Sequence, residues 1–168
     1  MKFMRKILLV CLSIILLVGC DYTSKKIVKN ELRDLSAHSY LGGGINLVYA
    51  ENSGGMLGLG IGTSEKTKLI IFRYFVVLML ALLFIYTITN KRISKGSIIA
   101  FIFIFSGGIG NLIDRFTNNG RVIDFIVMRI LNYHTGIFNL ADLYITTGVV
   151  LLVFLSLLNK YYKPESTE

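Results

Sequence analysis

The sequence predicts an all-α integral membrane protein: four transmembrane helices, a small extracytoplasmic β-element and an outer amphipathic loop. Three observations predict it. Of 168 residues, 54% are hydrophobic and only 17% charged, with a mean hydropathy of +0.64; that is too apolar for a soluble domain of this size. Four apolar runs reach or approach the about 20 residues that a helix needs to cross a bilayer. Basic clusters flank these runs on one side, as they do on cytoplasmic loops, while the 21–68 loop also holds six Lys/Arg and Arg73 sits just inside the second run.

The first run, Ile7 to about Cys20, follows Lys2, Arg5 and Lys6 and predicts a helix over about 5–24. It ends Leu17-Val18-Gly19-Cys20, the form of a lipobox. A cleaved signal peptide predicts one apolar segment followed by a soluble body. Three more apolar segments follow here, so the first reads as a retained helix. The outer loop of about 25–67 contains "INLVYA" between turn glycines, which reads as a strand. Helices two, three and four are predicted at about 68–90, 96–115 and 138–160. In the second outer loop, about 116–137, "TNNGR" is a turn and "VIDFIVMRILNYH" an amphipathic stretch able to lie flat in the interface. Residues 1–163 make a single domain, and 164–168 form a polar tail.

Lys91, Arg92 and Lys95 join helices two and three, and Lys160 and Lys163 follow helix four. With Lys2, Arg5 and Lys6 they put both termini in the cytoplasm. The net charge of +8 is better explained by cytoplasmic ends facing anionic membrane lipid than by nucleic acid. Cys11 and Cys20 are nine residues apart on one helix, about 13 Å, too far to bridge. No disulfide framework or metal-ligand motif is present.

Ionisable residues beside membrane helices are costly and need a reason. Here they collect at one level. Asp21 and Lys25 leave helix one on the outer side. Asn111, Asp114 and Arg115 close helix three, Asn139 and Asp142 open helix four, and Asp124 lies in the loop between. Gly107, Asn111, Asp114 and Arg115 share a helix face. Ser106 and Gly110 form a small-residue pair that lets another helix come close. Each polar group also has a plain explanation: Asp21–Lys25 as an interfacial ion pair, Asn139 as a helix cap with Asp142 in the first turn, Asp114–Arg115 as a stop at the lipid boundary. No serine, cysteine or histidine set suits nucleophilic or metal catalysis. What remains is a pair of carboxylates, one keeping a proton and one acting as base toward water.

Five motifs then resemble those of the lipoprotein signal peptidase (type II signal peptidase) family: "DYTSK" at 21–25, "ENSGGMLG" at 51–58, "GGIGNLIDR" at 107–115, "VIDF" at 122–125 and "FNLAD" at 138–142. The resemblance implies a membrane-embedded aspartic endopeptidase without metal or cofactor. Its substrate would be a diacylglyceryl-modified prolipoprotein, cut before the lipidated lipobox cysteine near the outer leaflet. The chain is expected to be a monomer, though the sequence carries no signal of its oligomeric state. The resemblance implies Asp124 and Asp142 as the catalytic pair, and Asn52, Gly54, Asn111, Arg115 and Asn139 as their support or substrate contacts. Asp21, Lys25 and Asp114 would be structural. One departure stands out. The family's first outer loop carries a phenylalanine where this chain continues Gly54-Gly55-Met56-Leu57. The alternatives are a lipoprotein anchored through Cys20, a small channel or transporter with acids along its pathway, and a non-catalytic relative.

Overall fold

The computed structural model describes residues 2–33, 37–55, 60, 62–90 and 92–162, with backbone alone for Lys2, Phe3, Lys6 and Tyr162. Met56, Leu57, Lys91, Lys163 and the tail 164–168 lie outside the described residues. Four helices are long and apolar enough to cross a membrane: α1 (Lys2–Glu31), α2 (Glu65–Thr89), α3 (Lys95–Thr117) and α4 (Leu140–Tyr162). Their outward faces are apolar, with Ile15, Leu16, Phe84 and Val150 more than half exposed. In water that surface would be costly; in a bilayer it is the solvated one.

Serine caps open two of the helices, because the first turn of a helix has unpaired N–H groups. Ser64 Oγ accepts from Thr67 N at 3.1 Å, and Ser94 Oγ from Ser97 N at 3.0 Å. Helix α3 is the central one. Its buried residues include Ala100, Phe101, Phe105, Ser106, Gly107, Gly110 and Asn111. It meets α4 along a seam of glycines, where the missing side chain lets two backbones approach. A Cβ on Gly107 would run into the Ala141 carbonyl, and one on Gly148 would lie 2.6 Å from the Ala100 carbonyl. Gly110 admits α1: a Cβ there would lie 2.5 Å from the Asp21 carboxylate.

Above the helices lies a four-stranded antiparallel sheet in the order β1 (His38–Tyr40), β2 (Ile45–Asn52), β3 (Val122–Ile130), β4 (Tyr133–His134). The strand expected at "INLVYA" is β2. The stretch expected to lie flat as an amphipathic segment is instead β3, paired with β2 from Ile45↔Met128 to Asn52↔Val122. The reason is its composition. Val122, Ile123, Phe125, Ile126 and Val127 are β-branched or aromatic, and a partner strand satisfies the backbone that an interfacial segment would have to satisfy alone. Val122 to Phe125 are buried. Helix α1 also runs past its expected end, because Val28 and Leu32 pack under the sheet against Ile123 and Phe125.

Gly107→Ala should lower the melting temperature in detergent, since overpacking against backbone costs about 1–3 kcal/mol. Gly19→Ala, whose added methyl meets nothing within 4 Å, should leave it unchanged or raise it slightly. Equal melting temperatures for both variants would contradict the close α3–α4 seam.

Candidate active site

The site grows from one buried cation. Lys25, on α1, is 1% exposed. Its ammonium has three donors, and each has an acceptor: Asp21 Oδ2 at 2.8 Å, Asp114 Oδ2 at 3.0 Å and Asn111 Oδ1 at 3.1 Å. The acids in turn hold backbone. Asp21 Oδ1 accepts from Ala141 N at 2.9 Å, in the first turn of α4. Asp114 Oδ2 accepts from Ile123 N at 3.1 Å, at the start of β3. Helices α1, α3 and α4 and strand β3 are thereby tied to one ammonium.

Those ties place two further carboxylates. Asp124 lies on β3, 3% exposed. Asp142 lies in the first turn of α4 and is only half-buried. Asn139 connects them. Its Nδ2 donates to Asp124 Oδ1 at 2.6 Å and to Asn111 Oδ1 at 3.3 Å. Its Oδ1 accepts from Asp142 N at 2.9 Å, while its own N donates to Asp142 Oδ2 at 3.3 Å. The last two bonds form a reciprocal cap of the capping-box kind. The expected cap and the expected link to the acid pair are thus the same residue. Phe138 joins the sheet by bridging to Ile126, which brings Asn139 beside β3.

The remaining positions close the network. Asn111 Nδ2 donates to Asp142 Oδ1 at 2.8 Å. Asn52 is the diagonal neighbour of Asp124 across β2–β3 and donates to its Oδ2 at 2.9 Å. Gly54 N donates back to Asn52 Oδ1 at 2.8 Å, and Arg115 Nη2 donates to Gly54 O at 3.0 Å. All ten residues singled out in the sequence therefore meet in one hydrogen-bonded cluster. Two basic residues of α2, Arg73 and Lys68, approach this region without having been singled out. Their only sequence signal was Arg73 lying within an apolar run.

The two acids differ in surroundings. Burial pushes the Asp124 carboxyl up to about 6, the charge of Asp142 pushes the same way, and hydrogen bonds from Asn52 and Asn139 oppose both. Asp142 accepts from Asn111, sits at a helix N-terminus that favours negative charge, and is open to water. A buried carboxyl held ready to keep a proton, beside a second carboxyl open to water, is the arrangement that activates water against a carbonyl.

The fold and this site define a four-helix membrane protein carrying paired carboxylates at one end of its bundle. Residues 13–158 match the family model described as signal peptidase (SPase) II. The chain is 33% identical to a lipoprotein signal peptidase of Desulforapulum autotrophicum, covering 93% of this chain and 96% of the relative. It is 34% identical to one of Clostridioides difficile, covering 86% and 92%. Among solved structures, a bacterial membrane enzyme determined by the in meso method superposes with a TM-score of 0.81 at 26% identity, over 95% of this chain and 93% of that one. The chain belongs to the signal peptidase II family and is a bacterial membrane peptidase.

The raised Asp124 carboxyl has a consequence for stability. Between its ordinary value of 3.8 and about 6, the folded state binds more protons than the unfolded state. Stability therefore falls as pH rises through that window, by about 3 kcal/mol in all. Asp124→Asn cannot ionise and escapes this loss. The melting-temperature difference between variant and parent should move in the variant's favour from pH 4 to pH 6.5 and level off above. A difference independent of pH would contradict the raised carboxyl.

Proposed function

We propose that the chain is the aspartic endopeptidase that removes signal peptides from diacylglyceryl-modified prolipoproteins, with Asp124 and Asp142 as its catalytic pair. The observation that carries this is Asn139, which donates to both carboxylates, through Nδ2 to Asp124 and through its backbone N to Asp142. Residues 1–163 act as one peptidase unit. Asp21, Lys25 and Asp114 hold the frame. Asn52, Gly54, Asn111, Arg115 and Asn139 orient the pair and the substrate.

Asp142 removes a proton from water, and the resulting hydroxide attacks the carbonyl before the lipidated cysteine. Asp124 gives its proton to the carbonyl oxygen as the tetrahedral centre forms. On collapse that oxygen returns its proton to Asp124. The cysteine nitrogen leaves with the proton held by Asp142. No covalent intermediate is needed. The lipid tails and signal helix, lying in the bilayer beside the helices, supply much of the orientation.

The termini are cytoplasmic in this reading and the site faces the outer leaflet. The basic clusters around helix ends support that orientation. So does the sheet, whose hairpin tips present Leu41, Leu131 and Tyr133 more than four-fifths exposed, side chains suited to the membrane interface.

The test is product mapping. The purified protein, in detergent or vesicles, should cut a diacylglyceryl-modified prolipoprotein at the bond before its lipidated cysteine, as read by mass spectrometry. The unmodified precursor should be cut at least 100-fold more slowly, because lipid anchoring contributes several kcal/mol of positioning. Cleavage elsewhere, or indifference to the lipid, would overturn the substrate assignment.

A further inference from the structure

A second polar cavity, of about 240 Å³, opens beside the carboxylate cluster between the outer ends of α2 and α3. Its lining includes Ser53, Glu65, Lys68, Phe72, Arg73 and Arg115. Three cations face it against one acid. That acid, Glu65, is 84% exposed at its side chain and pairs with Lys68 at 2.9 Å. Neither guanidinium is engaged by a carboxylate within salt-bridge distance among the described residues. The Nε atoms of Arg73 and Arg115 are both buried and without a hydrogen-bond partner. A buried, unpaired donor on a charged group is expensive, and two like charges lining one cavity add repulsion.

The cavity is built rather than incidental. Arg73 lies 5.4 Å over the Phe116 ring, and Arg115 lies 5.4 Å over the Phe72 ring. Such stacking holds each guanidinium plane in place; Arg115 also donates through Nη1 to Asn111 O at 3.3 Å and through Nη2 to Gly54 O at 3.0 Å, which fixes its orientation at the cavity wall. Phe72 and Arg73 belong to a π-helical stretch of α2, Ile70–Phe75, a local irregularity that often marks a functional position. Lys68 also donates to Ser53 Oγ at 3.3 Å, next to the Gly54 carbonyl that Arg115 holds. The volume leaves room for a phosphate group together with several waters.

The neighbouring side chains say where such a group comes from. Ile70, Tyr74 and Phe75 flank the basic residues on α2 and are each more than half exposed. The rim is therefore lipid-facing, at the level where headgroups lie. We propose that Lys68, Arg73 and Arg115 form a binding site for the phosphate of an anionic membrane lipid, separate from the carboxylate pair though sharing Arg115. Charge-assisted bonds from two guanidiniums and an ammonium are the donors that phosphate recognition uses.

The experiment reads binding and not cleavage, so it stands or falls apart from the peptidase assignment. The full chain in a maltoside detergent is titrated with dihexanoyl phosphatidylglycerol, dihexanoylglycerol or inorganic phosphate, following the melting temperature. The phosphatidylglycerol should raise it saturably, and dihexanoylglycerol should not. Arg73→Gln and Lys68→Gln should each weaken the response about tenfold or more, as loss of one charged hydrogen bond does. Two variants are used so that a folding defect in one leaves the other informative. No response of the parent chain, or equal responses of parent and both variants, would overturn the site. An equal rise with inorganic phosphate at the same concentration would overturn the lipid as its source.

Discussion

The buried ammonium of Lys25 is the constraint on which the rest depends. A charge at the edge of the hydrocarbon is tolerable only when every donor is matched, and here two carboxylates and an amide match it. The two carboxylates are not merely counter-ions. One fixes the first turn of α4 and the other fixes the first residues of β3. The positions of Asp142 and Asp124 follow from those two anchors. Removing one partner from such a buried group costs about 3–5 kcal/mol, so the frame and the site are energetically one object.

Asn139 shows why structural and chemical readings of a residue need not compete. As a helix cap it satisfies amide groups that any helix leaves open. Its side-chain nitrogen is then free to reach the strand, and there it finds Asp124. A cap that only served the helix would have no need to lie fully buried against a sheet. The asymmetry between the acids follows from the same placement. Asp124 is on a strand, covered by β2 and α1. Asp142 is in the first turn of a helix, bonded by Asn111, and water has access to it.

Much of this was legible in the sequence, for physical reasons. Twenty-residue apolar runs have few meanings, and the spacing of Gly107, Asn111, Asp114 and Arg115 places them on one face of any helix. What stayed hidden was tertiary. The helical extension of α1 to Glu31 depends on Val28 and Leu32 finding Ile123 and Phe125 to pack against, some ninety residues away in the chain. The conversion of "VIDFIVM" into β3 depends on β2 being there to pair with it; alone, its mixture of Asp124 and Arg129 with apolar residues suits an interface equally well. The lipobox-like end of α1 misleads for a related reason. Leu17 to Cys20 have the right letters, but the helix continues unbroken through them, and Asp21, the next residue, is committed to α4.

The pairing of Asp124 with Asp142 as one proton-sharing unit is the central claim, and matched substitutions test it most directly. Asp124→Asn and Asp142→Asn are compared with the parent chain for folding, by melting temperature, and for cleavage of a diacylglyceryl-modified prolipoprotein at a single pH. Both variants should fold and insert, and each should lose at least about a thousandfold in rate, since acid and base act on the same transition state. Substantial cleavage by either folded variant would contradict the pair.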